Sequence, residues 1–410
     1  MTALGADYRR LWASSAVANL GDGVRLTALP LLAAAITRDP MAIAGLTVAA
    51  DLPWLLVSLF AGALVDRTDR RVLMIRVQVV RTVIAAVLAA TVLAGSVQII
   101  VLYALVLVLG VCEVLFDVAA PTMLPRIVGK DHLPRGNARL SAAELTGNEF
   151  VGPPLGGFLF RLGHAVPFVL DAVSFAVSAV ALTRIRGPFR PDHPEGATPK
   201  GILADVGEGV RWLWHQPLFR GMTVIVAFMN LARAMTLAIF VLYALELLKL
   251  NEIGFGVLTS AVAVGAVVAT FIIDRMGWRI AGPVMLLAVL GHGLSTAAMG
   301  LTSNPWLAGL FSAAFGFATM TWSLLSSSVR QAFVPDRLLG RVSSVHRFVS
   351  WGSLPLGGLL GGVLAAQFGL RAPFLIGGAA VVLVAIVTSR LLLRVSTLFK
   401  DGANAQQPHD

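Results

Sequence analysis

The sequence predicts an all-α membrane protein of twelve transmembrane helices, and three observations predict it. The 410 residues are 57% hydrophobic and only 13% charged, far outside the composition of ordinary soluble domains. Apolar runs of about 20 residues recur from end to end, the length a helix needs to cross a hydrocarbon core about 30 Å thick. The runs do not alternate apolar with polar residues as barrel strands would. Lipid offers the backbone no hydrogen bonds, so the helix is left as the spanning element.

Taken in order, the predicted spans are Leu11 to Ile36, Met41 to Val65, Val72 to Ala94, Val97 to Ala119, Leu140 to Phe160 and Ala165 to Thr183. The second six are Phe219 to Leu245, Phe255 to Ile273, Ala281 to Leu301, Trp306 to Ser328, Val342 to Ala366 and Ala372 to Leu392. The first apolar stretch is long enough to span and lacks a small-residue cleavage site, so no signal peptide is expected. The single cysteine, Cys112, lies inside the fourth span, where it packs as a small residue and builds neither a disulfide nor a thiolate metal cluster.

A net charge of +10 invites a nucleic-acid reading, but the charge is not spread evenly. Under the twelve-span map, one side of the membrane holds only Arg38, Arg161, Lys249 and Arg371, and Arg25, Arg81 and Arg233 lie within spans. All other basic residues fall on the side of the N-terminus. That asymmetry predicts a multi-pass inner (plasma) membrane protein with both termini cytoplasmic, and it removes the basis for nucleic-acid binding.

Set against itself, the chain repeats at an offset of about 205 residues. LPRIVGKDHLPRGN resembles RQAFVPDRLLGRVS, Gly156 and Gly157 fall onto Gly361 and Gly362, and Pro167 and Phe168 fall onto Pro373 and Phe374. Asp66 and Arg67 match Asp274 and Arg275. Two pseudo-symmetric six-helix bundles are therefore expected, at residues 1–185 and 218–397, with a cytoplasmic tail at 398–410. The polar stretch 186–217 joins them. In it Ile202, Val206, Val210, Leu213 and Trp214 share one helical face, which suits a surface amphipathic helix or a short helix packed on the bundle.

The loop after the second span reads Gly62, Ala63, Leu64, Val65, Asp66, Arg67, Thr68, Asp69, Arg70, Arg71 and resembles the G-x-L-x-D-R-x-G-R-R signature of the major facilitator superfamily, with Asp69 where the family usually has Gly. The resemblance covers the whole chain and implies the major facilitator fold. Physically, Gly62 permits close helix contact, Asp66 can cap the next helix, and Arg70 and Arg71 can reach a carboxylate such as Asp117. With Arg67, these residues are expected to latch and release the cytoplasmic side. The competing reading is a purely topogenic arginine cluster.

In the fifth span, Gly152, Pro153, Pro154, Leu155, Gly156 and Gly157 resemble the G-P-x-x-G-G motif of the superfamily's exporters, especially its proton-coupled drug antiporters. Glycine lets backbones touch and proline removes a helix hydrogen bond. The opening RLWASSAVANLGDGVRLTALPLL, the stretch RQAFVPDRLLGR and the central linker are most similar to the branch of macrolide-efflux and enterobactin-type siderophore exporters.

Charges within spans cost at least a few kcal/mol each and need a partner or a function. Counting about 1.5 Å per residue from the cytoplasmic arginines places Asp22, Glu149 and Arg233 near mid-membrane. Asp22 and Arg25 share a helix face, and either Asp22 or Glu149 is a candidate proton carrier, with Arg25 and Arg233 as central-cavity cations. Asn19, Asn148, Asn230, Trp322 and Trp351 are candidates for contacting substrate. The alternative is that these charges are static ion pairs and the aromatics are packing. Glu113 and Asp117, four apart with Arg81 as neighbour, suit structural or gating work. Asp51 and Asp171 lie nearer the outer face.

No G-x-x-x-x-G-K-S/T segment is present, and the histidines show no metal-ligand spacing, so no cofactor is expected. The resulting expectation is a monomeric secondary active exporter of small hydrophobic or amphipathic molecules, exchanging them for protons amid membrane lipids. Siderophore export, lipid flipping and import remain open within transport. An intramembrane enzyme using Glu113 and Asp117 is the reading from a different class.

Overall fold

The structure, a computed structural model, describes residues 5–65, 68–128, 132–187, 189, 210–276 and 280–395. Among them every regular element is helical. In chain order these are α1 (Gly5–Ile36), α2 (Pro40–Val65), α3 (Arg70–Leu93) and α4 (Ile99–Ile127). Next come α5, in three pieces (Leu133–Leu145, a π-helical Thr146–Val151 and Gly152–Leu162), and α6 (Val166–Thr183). Then follow α7 (Pro217–Leu237, continued by Phe240–Leu242 and a π-helical Tyr243–Leu247), α8 (Glu252–Ile273) and α9 (Ala281–Leu301). The last three are α10 (Pro305–Phe333), α11 (Asp336–Phe368) and α12 (Ala372–Leu393).

Each predicted span thus falls on one helical segment. Among the described residues, ten helices are long and apolar enough on their own to cross a membrane. The two segments outside that group are α1 and α5. Asp22 and Arg25 dilute the apolarity of α1, and α5 is cut into pieces of 13, 6 and 11 residues. The cut has a local cause. Pro153 and Pro154 offer no amide hydrogens to the turn before them, and the Gly152 N–H reaches back five residues to the Gly147 carbonyl, which widens the helix to π geometry.

The chain divides into two compact units, Met1–Glu195 with Phe240–Ser260, and Gly196–Ile239 with Ala261–Asp410. The boundaries fall inside α7 and α8. In the first unit Leu11, Met74, Phe116, Met123 and Leu182 form a buried apolar cluster. In the second, Met222, Met229, Met285, Trp322 and Val381 do the same.

Both units carry the same close helix contact at positions paired by the repeat. A Cβ on Gly156 would strike the Val24 carbonyl of α1, and a Cβ on Gly361 would strike the Met235 carbonyl of α7. The fifth helix of each half therefore rests directly on the backbone of the first. Phe168 and Phe374, paired by the same repeat, are both fully buried beside a proline at the start of α6 and α12.

Of the linker, residues 210–215 are described and helical; Leu213 is buried and Trp214 is exposed. Ile202 and Val206 lie outside the described residues.

Candidate functional site

The site starts from a glycine pair. Gly21 and Gly23 flank Asp22, and each makes room for a different neighbour. The side chains of Asp171 and Ser174 occupy the place a Cβ on Gly21 would take, while the Gly147 carbonyl and Asn148 backbone crowd Gly23. The Gly-Asp-Gly turn of α1 thus draws α6 onto one side of Asp22 and the π-helical part of α5 onto the other.

Around Asp22 the helices assemble a buried charge cluster. Arg25 Nη2 donates to Asp22 Oδ1 at 2.6 Å and to Glu113 Oε2 of α4 at 3.0 Å. Its Nε lies 3.4 Å from Asp171 Oδ2 of α6. Arg81 of α3 donates from Nη2 to Asp22 Oδ1 and from Nη1 to Gln78 Oε1 at 3.3 Å, with its guanidinium 4.0 Å over the Phe175 ring. Gln78 Nε2 continues to Ser178 Oγ at 2.6 Å, and Ser178 meets Ser14 Oγ at 2.6 Å. Four helices are joined through charge and two of them further through hydroxyls.

The composition of this cluster matters more than its size. Asp22, Glu113 and Asp171 face Arg25 and Arg81, so three carboxylates meet two guanidiniums and one negative charge is in excess. Arg81 is 1% exposed and Asp171 0%. An unbalanced charge in such a place is expensive. Neither oxygen of Asp171 receives a hydrogen bond among the described residues. One proton, or one cationic group, would balance the set.

The other residues singled out from sequence fall as follows. Asp22 and Arg25 pair as their spacing predicted. Arg81 turns to Asp22, and Glu113 is taken by Arg25. Asn148 Nδ2 donates to Asn19 Oδ1 at 3.2 Å, and the buried Asn148 Oδ1 has no donor among the described residues. Glu149 is exposed on the π segment and outside the cluster, whereas Asp117 on α4, also exposed, stands within electrostatic reach of Glu113, Arg81 and Asp22 and adds to their excess of negative charge.

In the second unit Asn230 Nδ2 donates to the Ser350 carbonyl at 3.0 Å, tying α7 to α11. Arg233 is exposed. Trp322 is 3% exposed within the apolar cluster and its Nε1 has no acceptor among the described residues, whereas Trp351 is half-buried.

Of the loop motif, Asp66 and Arg67 lie outside the described residues. The cap expected from Asp66 is supplied by Asp69, whose Oδ1 accepts from Val72 N at 3.1 Å. Arg70 Nη1 donates to the Thr122 carbonyl at 3.2 Å, and Arg71 Nε to the Leu182 carbonyl at 3.1 Å. Both arginines therefore sit near the C-terminal ends of α4 and α6, where the helix dipole favours a cation; the Leu182 carbonyl also accepts from Ile185 N at 3.2 Å. Gly152, Pro153, Gly156 and Gly157 lie together on α5; a Cβ on Gly157 would meet the Glu252 carbonyl.

Sequence reasoning left Gln78, Ser178 and Asp171 out of the central set. Asp171 is the single charged residue of its span, and Gln78 lies three residues before Arg81, which were the available signals.

The family model described as transmembrane secretion effector, MFS_3, matches residues 5–408. A multidrug efflux pump, Tap, of Mycolicibacterium fortuitum is 27% identical over 390 residues, covering 90% of this chain and 92% of its own length. The enterobactin exporter EntS of Escherichia coli O1:K1 / APEC is 26% identical over 224 residues, 54% of this chain and 52% of its own. A solved bacterial homologue of the iron transporter ferroportin, in an inward-facing state, superposes with a TM-score of 0.73 at 16% identity, covering 95% of this chain and 98% of its own. The nucleoside transporter NupG does so with 0.72 at 14%, covering 94% and 99%. At such identities the solved structures bear on the fold alone.

Proposed function

The chain belongs to the MFS_3 family of transmembrane secretion effectors, within the major facilitator superfamily, and on that premise we propose that this multi-pass membrane transporter exports small hydrophobic or amphipathic molecules by exchanging them for protons. The observation that carries the proposal is the excess negative charge of the buried cluster around Asp22. A site one positive charge short of balance binds either a proton or a cationic substrate group, and competition between the two is what antiport requires. Likeness to a multidrug efflux pump over 90% of the chain supports outward transport of drug-like molecules.

The π-helical segment of α5 supports a moving part near this site. It presses on Gly23 beside Asp22, and π turns arise where a helix accommodates strain at functional positions. Asn19 and the unsatisfied Asn148 Oδ1 lie on that contact and are the polar groups we assign to substrate. Alternating access would then open and close the contact of α1 with α5. The two halves are residues 1–185 and 218–397, both termini lie in the cytoplasm, and the membrane is the inner (plasma) membrane. The halves follow from the internal repeat, and the orientation and membrane from the basic-residue asymmetry. Siderophore export is the second reading, favoured by the match to an enterobactin exporter over about half the chain.

The test is accumulation of a macrolide, a fluorescent amphipathic dye and a catecholate siderophore in cells with and without the gene, before and after a protonophore. Lower accumulation of the macrolide and dye, abolished by the protonophore, is the expected result. Unchanged accumulation of all three probes would overturn the export reading, and extrusion indifferent to the protonophore would overturn the coupling.

A further inference from the structure

A cavity of about 530 Å³ lies in the first unit between α1 and α5, its deep end at Leu20 and Gly147 next to the α1–α5 contact described above. It is graded from one end to the other. Tyr8, Arg9 and Trp12 of α1 and Arg139 of α5 form one end, while Ala16 and Leu20 mark the depth reached along α1. From Arg9 to Leu20 the helix rises about 16 Å. That is close to one leaflet of a hydrocarbon core of about 30 Å.

The polar groups at the mouth divide into two kinds. The Tyr8 hydroxyl donates to the Gly136 carbonyl at 3.0 Å and Trp12 Nε1 to the Arg139 carbonyl at 3.1 Å, so both aromatic tips are spent on binding α1 to α5. The guanidiniums of Arg9 and Arg139 have no hydrogen-bond or ion-pair partner among the described residues, and no side-chain carboxylate lines the cavity. The mouth is thus doubly cationic, walled by an indole of the kind that settles at headgroup depth, and the lining below it is apolar or small but for the Thr146 hydroxyl.

We infer that this groove is a binding site for an anionic phospholipid, with the phosphate held by Arg9 and Arg139 and one acyl chain laid along Ala16 and Leu20. Charge complementarity selects the headgroup, and a guanidinium pair suits phosphate through paired N–H donors. The length of the apolar part selects a chain over a free anion. Inorganic phosphate would satisfy the arginines but leave the groove unfilled. The inference is independent of what the protein transports.

The experiment is native mass spectrometry of the full-length protein taken from vesicles of phosphatidylglycerol mixed equally with phosphatidylcholine. Phosphatidylglycerol should be retained about thirtyfold over phosphatidylcholine, the factor that two basic residues supply at an anionic surface. R9Q/R139Q should lose that preference. Ala16→Leu, which fills the groove and leaves both arginines, should lower phosphatidylglycerol retention about tenfold or more, and it decides alone if the double variant does not fold. The inference is overturned if R9Q/R139Q keeps the preference, if Ala16→Leu binds as the wild type does, or if inorganic phosphate displaces the lipid.

Discussion

Replacing Arg81 with methionine isolates the buried charge cluster in one step. Arg81 is 1% exposed, pairs with Asp22 and lies 4.0 Å over Phe175. Methionine keeps an unbranched apolar stem against the ring and deletes the charge. Three carboxylates would then face Arg25 alone. Breaking a buried pair costs about 3–5 kcal/mol, and losing a desolvated cation–π contact adds about 1–2 kcal/mol. R81M should therefore lower stability by roughly 4–7 kcal/mol. Adding Asp22→Asn leaves Glu113 and Asp171 against Arg25, which restores an excess of one negative charge. The second change should recover about 2–3 kcal/mol rather than add its own cost, a coupling that a double-mutant cycle reads directly. The assay is unfolding of the purified protein in detergent micelles titrated with dodecyl sulfate, with all four members of the cycle compared. A cost for R81M below about 1 kcal/mol, or strictly additive costs, would refute the cluster's role.

Three further outcomes follow from other contacts. Gly152→Ala places a Cβ against the Gly147 carbonyl and the Gly23 backbone, so α5 must move off α1; size-exclusion chromatography should show a clear loss of monodisperse protein, and Gly309→Ala, which meets open space, should show none. Asp69→Ala removes the α3 cap and should cost about 1 kcal/mol while efflux persists, as measured by unfolding and dye extrusion together. After Cys112 is replaced, cysteines at Gly95, Ser303 and Gln367 should react with an impermeant thiol reagent in intact cells, and cysteines at Thr68, Gly196 and Asp336 should not. The reverse pattern would invert the orientation.

The architecture was largely readable because its causes are local. Apolar run length places the spans, and the Gly-Gly pairs of the repeat fall on equivalent close contacts, of Gly156 with Val24 and of Gly361 with Met235, whose partners the sequence did not name. The pairing of Arg25 with Asp22 was readable because residues three apart on one helix share a face. Partners on different helices were not. Periodicity fixes which face of α6 carries Asp171 but not how α6 is rotated against α1, and depth counted along one helix cannot say that Arg25 reaches both Asp171 and Glu113. Arg70 and Arg71 show another limit. A search for carboxylate partners overlooks backbone carbonyls near helix ends, which also accept from a guanidinium and leave no mark in composition. The π segment likewise has no side-chain signature beyond the Pro153 and Pro154 that follow it.

Proton movement by the purified protein tests the central proposal most directly. In vesicles loaded with a pH-sensitive dye, an imposed gradient of a transported macrolide should drive protons the opposite way through the wild type. Asp22→Asn, which keeps shape but removes a titrating group, should abolish proton flux while macrolide exchange at equal concentrations continues, and Glu149→Gln should retain both. Macrolide flux with no proton counterflow in the wild type, or undiminished proton flux in Asp22→Asn, would contradict proton exchange at the Asp22 cluster.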